Sequence, residues 1–92
     1  MVTFVNKLTV HGDIGEFEAV KARLTAYMSS RPGYVSEQTL RHVDDGKVFV
    51  EIAVWEDAAS HLDAVRSEEF QSLIQGLRPL ASADPGMYET VG

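Results

Sequence analysis

KVFVEIAVWED, residues 47–57, is the stretch that decides the fold. Side chains alternate along an extended chain, so Phe49, Glu51, Ala53 and Trp55 share one face and Val48, Val50, Ile52 and Val54 the other. Both faces are largely apolar, which predicts a central strand covered on two sides. A carboxylate in the middle of such a strand is costly unless it is paired, protonated or facing a pocket. Glu51 is therefore the first place to look for chemistry, and Trp55, the only tryptophan, closes the same face.

Working outward, Tyr34 to Val43 reads as a second strand joined to Lys47–Trp55 by the tight turn Asp44-Asp45-Gly46, together a hairpin. Ser30-Arg31-Pro32-Gly33 stops the helix before it. That helix opens on Asp13 and Glu16, spaced as a capping box, and carries Phe17, Val20, Leu24 and Tyr27 or Met28 at helical spacing. Residues 3–10 predict a first strand with Phe4, Asn6, Leu8 and Val10 on one face. Beyond the hairpin, Asp57 is a good N-cap for a helix with Ala58, Leu62 and Val65, and Ser67 recaps a further piece with Phe70, Leu73, Ile74 and Leu77. Arg78 to Gly86, with two prolines, predicts a loop, and Met87 to Val91 a short last strand.

The order βαββαβ is the ferredoxin-like unit: an α+β fold with a four-stranded antiparallel sheet and its helices on one face. The helix-free face would carry Val48, Val50, Ile52, Val54 and Val5, a large apolar patch. A homodimer packed sheet against sheet is the economical cover. Ninety-two residues fit one domain, spanning 1–92, and 45% hydrophobic content is ordinary for a globular chain.

No apolar stretch approaches the ~20 residues that span a bilayer, and MVTFVNKLTVHGD lacks the pattern of a signal peptide, so a soluble cytoplasmic protein is expected. A net charge of -6 with eight scattered basic residues argues against nucleic acid or an anionic membrane as partner. A small neutral or aromatic ligand fits better. The absence of cysteine removes thiol chemistry. His11, His42 and His61 have no spacing that suits a metal site, so no metal is expected, and His11 and His42 are expected to be exposed.

Four segments carry a family resemblance: Pro32-Gly33-Tyr34-Val35-Ser36, Val54-Trp55-Glu56-Asp57, Leu62-Asp63-Ala64 and Ser67-Glu68-Glu69-Phe70. In order and spacing they resemble an antibiotic biosynthesis monooxygenase domain of the dimeric α+β barrel superfamily. The resemblance implies a pocket in each subunit between helices and sheet. For the members that oxygenate polyketide anthrones it also implies a reaction with no metal, flavin or other cofactor. There an acidic phenol or anthrone is deprotonated and its carbanion reacts directly with dioxygen.

Trp55 matches the tryptophan of those oxygenases. Glu51 stands where they have asparagine, His61 where they have tyrosine and Gln75 where they have arginine. Asn6 matches an asparagine found across the superfamily. Haem-degrading members place a tryptophan at the position of Ala64 and the iron-ligating histidine at Ile74. Quinol oxygenases place a histidine at Val65.

Four catalytic candidates result. Glu51 is a general base in an apolar pocket or is simply paired with a Lys or Arg of a neighbouring strand. His61, beside the apolar stripe of its helix, shuttles a proton or faces solvent. Asn6 donates to an oxyanion or bonds backbone. Trp55 walls the pocket and can hold a carbonyl through its N–H. Tyr27, Tyr34, Gln38 and Phe49 are candidate substrate contacts. Three functions stay open at this point: a cofactor-free monooxygenase of an aromatic, polyketide-like substrate, a cyclase or isomerase using the same pocket without oxygen, and a non-catalytic small-molecule-binding dimer.

Overall fold

A computed structural model describes residues 1–92. The strands are β1 (Val2–Val10), β2 (Tyr34–Arg41), β3 (Val48–Trp55) and β4 (Ala81–Tyr88), and the helices α1 (Ile14–Ser29), α2 (Ala58–Arg66) and α3 (Glu68–Leu77). They form one four-stranded sheet in the order β2-β3-β1-β4, antiparallel throughout, the expected ferredoxin-like α+β arrangement. The molecule is a slab measuring 34 × 33 × 17 Å, a sheet with a single layer of helices. No helix is long and apolar enough to cross a membrane.

Each helix starts where a short polar side chain satisfies an otherwise orphaned N–H. Asp13 accepts from the Glu16 N–H, Asp57 from the Ser60 N–H and Ser67 from the Phe70 N–H. Ser67 does more than cap, because its hydroxyl donates to the Ala64 carbonyl at 2.7 Å and accepts from the Tyr27 hydroxyl at 2.6 Å. The junction of α2 and α3 is thereby tied to α1. At the other end of α1, Gly33 has φ +90°, a left-handed conformation open to glycine, and a Cβ there would overlap the Ser60 side chain.

The face of β3 that meets the helices is Phe49, Glu51, Ala53 and Trp55, as the alternation predicts. Phe49, Ala53 and Trp55 are buried, Trp55 to 1% exposure. The core is split in two. One cluster joins Leu8, Val10, Phe17, Val20, Leu24, Phe49 and Leu77, and a smaller one joins Ala53, Trp55 and Ala64. The gap between them is where the site lies.

Two expectations give way. Arg78 to Gly86 is not a loop, because β4 runs from Ala81 to Tyr88 and pairs along its length with β1, Val10 against Ala81 through Thr3 against Tyr88. As an edge strand it tolerates Pro85, whose missing N–H would break an interior ladder, and so the turn-like Asp84-Pro85-Gly86 is overridden by pairing. The apolar stripe of α2 also departs in part from the predicted Ala58, Leu62 and Val65, of which Val65 alone turns inward. Ala64 is the buried residue, and Leu62 is 42% exposed.

Candidate active site

Between the two core clusters a cavity of about 80 Å³ opens under the helices, lined by 17 residues, 11 of them hydrophobic. Every layer contributes. Phe4, Asn6 and Leu8 come from β1, Glu51, Ala53 and Trp55 from β3, and the helices supply Lys21, Met28, His61 and Ile74 among others.

His61 sits on the first turns of α2, six residues past Trp55, and the short bend at Glu56-Asp57 folds it back over the strand it follows. Its ring lies 4.6 Å from the Phe4 ring and 5.3 Å from the Trp55 ring, nearly perpendicular to the latter at 79°. Burial in this aromatic box pushes its pKa below 6.5, so the imidazole is neutral at pH 7 and has a lone pair to accept a proton. Of the two sequence readings of His61, the structure favours the pocket.

Glu51 is paired. The Lys21 ammonium, reaching down from α1, lies 2.5 Å from Glu51 Oε2 and 3.1 Å from Glu37 Oε1, and donates to Thr25 Oγ1 at 3.0 Å. Thr39 donates to the same Glu37 oxygen. The partner of Glu51 is thus a helix lysine and not a cation of the neighbouring strand. A carboxylate held this way is a fixed acceptor and a poorer candidate for the base than His61.

Asn6 pairs in register with Glu51 across β1 and β3, and its Oδ1 accepts the Asp84 N–H of β4 at 3.1 Å. The backbone-bonded reading is therefore correct for its oxygen. That bond also fixes the amide, leaving Nδ2 as a donor on the cavity lining. Trp55 walls the cavity, and its indole N–H has no protein partner and is not sealed off. Tyr34 stacks edge-on to Trp55, with centroids 5.6 Å apart at 89°. Burial raises the pKa of its phenol, and the neighbouring Glu37 and Glu51 raise it further, so it stays protonated as a donor.

Three sequence candidates fall outside the cavity. A bulge at Val35 sets Tyr34 opposite Trp55 but Ser36 opposite Val54, and every later side chain of β2 changes face. Gln38 consequently lies opposite Ile52 on the helix-free face, and Glu37 takes the inward position. Phe49 is core, 5.1 Å from the Phe17 ring. Tyr27 is structural, bonded to Ser67 with Arg31 over its ring.

Lys21 and Glu37 were missed. Lys21 had a signal, since it falls on the stripe Phe17, Lys21, Leu24, Met28, where a cation calls for a buried acid. Glu37 had none, because a bulge cannot be read from the alternation it interrupts. His11, bonded to Ser82, and His42, bonded to the turn amides of Asp44 and Asp45, are exposed as expected. No group of three or more His, Asp or Glu side chains is placed to hold a metal ion.

A family model described as antibiotic biosynthesis monooxygenase matches residues 1–76. Deoxynogalonate monooxygenase of Streptomyces nogalater is 39% identical over 87 residues, 95% of this chain and 74% of that protein. The crystal structure of SnoaB, a cofactor-independent oxygenase from Streptomyces nogalater, matches with a TM-score of 0.95 at 37% identity, covering 99% of this chain and 93% of that one. A conserved protein from Methanosarcina mazei shares the fold at 16% identity, with a TM-score of 0.90 over 98% of this chain and 92% of its own.

Proposed function

Because the chain belongs to the antibiotic biosynthesis monooxygenase family, we propose that it is a cofactor-independent monooxygenase. Its substrate would be an acidic aromatic molecule of polyketide type, an anthrone or a quinol. The observation that carries this reading is the neutral His61 imidazole held between Phe4 and Trp55 on the wall of a mostly apolar cavity.

In this mechanism His61 removes the acidic proton of the bound ring system. The resulting carbanion gives up an electron to dioxygen, and combination of the two radicals forms the carbon–oxygen bond. The peroxide anion takes back the proton from His61. Loss of water across that carbon then leaves a ketone, so one oxygen atom enters product and the other leaves as water. The Asn6 amide and the Trp55 indole N–H stabilise negative charge on oxygen, and the apolar walls keep bulk water from the carbanion. Glu51, fixed by Lys21, orients the ring through an accepted hydrogen bond.

Oxygen uptake by the pure protein with a panel of anthrones and hydroquinones tests the reading. One equivalent of dioxygen consumed per ketone formed is expected. Tight binding with no uptake would leave only a binding module, and turnover under argon would make the protein a cyclase or isomerase.

The working unit in this proposal is a homodimer. The helix-free face of β3 and β1 carries Val48, Val50, Ile52, Val54 and Val5 beside Thr3, Lys7 and Thr9, flanked by Leu40 at 44% exposure. A slab face of 34 × 33 Å offers the roughly 800 Å² per partner of a stable interface. A second copy, presenting the same largely apolar face about a two-fold axis, covers it.

A further inference from the structure

The polar end of the cavity can be inventoried atom by atom. A lysine ammonium has three N–H donors; Lys21 donates to Thr25 at 3.0 Å and to Glu37 at 3.1 Å and is ion-paired with Glu51 at 2.5 Å. Its charge is already taken up by protein groups. Lys21 is also the sole Lys or Arg on the cavity lining, where Glu37 and Glu51 both appear. Two carboxylates against one ammonium leave this end with a net negative charge. Glu51 Oε1 and Glu37 Oε2 have no protein partner and are not sealed from the cavity or solvent, so both can accept.

The geometry points to a specificity filter: we propose that Glu37 and Glu51, positioned by Lys21, select an uncharged ring-hydroxylated substrate whose phenolic O–H groups donate to them, and reject ring carboxylates. A carboxylate entering here would lose its water, find the lysine already paired with two carboxylates and meet like charge. A phenol exchanges a bond to water for a charge-assisted bond to a fixed acceptor. The ketone oxygen of the same ring system then meets the donors that share this cavity lining, Asn6, Trp55 and Tyr34. This inference rests on the aromatic-ligand reading above and adds to it the chemical class of the ligand.

Quinones test it without turnover, because they are already oxidised, and the single tryptophan in the cavity wall reports their binding by fluorescence quenching. The probes are 1,8-dihydroxyanthraquinone, the same molecule with one ring carboxylate, and its 1,8-dimethoxy analogue. The dihydroxy compound is expected to bind the wild-type chain at least about tenfold more tightly than either. In Glu37→Gln, which removes one negative charge while Lys21 keeps Glu51, the discrimination against the carboxylate shrinks several-fold.

Carboxylate or dimethoxy binding equal to that of the dihydroxy compound in the wild type overturns the proposal, with no variant needed. An unchanged ratio in a folded Glu37→Gln overturns it too. Failure of all three quinones to quench would overturn the aromatic pocket itself, whereas binding without preference would overturn the filter alone.

Discussion

The Lys21 ammonium on α1 and the Glu51 carboxylate on β3 meet at 2.5 Å, across the gap between the two parts of the core. Their side chains are 11% and 19% exposed, so each has left most of its water and depends on the other. The pair bridges a space that apolar packing leaves open.

Removing the lysine leaves Glu37 and Glu51 facing one another unneutralised. Lys21→Met is expected to lower the unfolding free energy by about 2–3 kcal/mol, less than loss of a fully buried pair because the cavity admits water. A fall in the urea midpoint with unchanged slope measures it.

His61→Ala is expected to cut kcat about 10²- to 10³-fold. In the wild type, kcat/KM should fall with unit slope on the acid side, with a midpoint below 6.5, because the imidazole must be neutral to accept a proton. Initial rates of oxygen uptake across about pH 5 to 8 give the profile. The sign for stability follows from the same lowered pKa. The native state takes up this proton less readily than the unfolded chain, so the contribution of His61 is intact above 6.5 and is lost as pH falls through the folded value.

Asn6→Ala is expected to lower kcat about 10²-fold with little change in KM, since its Nδ2 acts on charge that develops only during reaction. The Asp84 N–H it releases lies at an exposed edge and turns to water. The loss of stability therefore stays near or below about 1 kcal/mol by thermal melting.

Gly33→Ala faces two separate obstacles, a φ of +90° and the Ser60 side chain against its new methyl group. A loss of about 2 kcal/mol or more is expected. Adding Ser60→Gly should recover only the part due to the clash, which chemical denaturation of both variants resolves.

Ile52→Glu places a charge in the middle of the helix-free face, where it does not touch the cavity. Sedimentation velocity should show the wild-type dimer replaced by a monomer. A wild-type monomer at micromolar concentration would sink the dimer proposal.

The segment from Val48 to Trp55 was legible as it stood, because a strand's two-residue period assigns every side chain to a face without reference to the rest of the chain. The same holds for the three caps, Asp13, Asp57 and Ser67, whose bonds are made within three residues. Pro85 misled for the complementary reason: its local preference is for a turn, and the ladder to β1 that overrides it comes from residues far away in sequence. Gln38 and Glu37 exchanged faces through one bulged residue at Val35.

Local chemistry in the sequence thus determined the order of the elements, the bounds of all but the last strand to within a few residues, and the family, and it placed Trp55, His61 and Asn6 near a common cavity. It could not determine charge pairing. Whether Glu51 was a free base or a fixed acceptor depended on Lys21, thirty residues away on a helix whose rotation over the sheet is set by Phe17, Val20 and Leu24 packing into the core. Hydrophobic period is a property of neighbouring residues, whereas the electrostatics of a site belong to whatever the tertiary fold brings within a few ångströms of it.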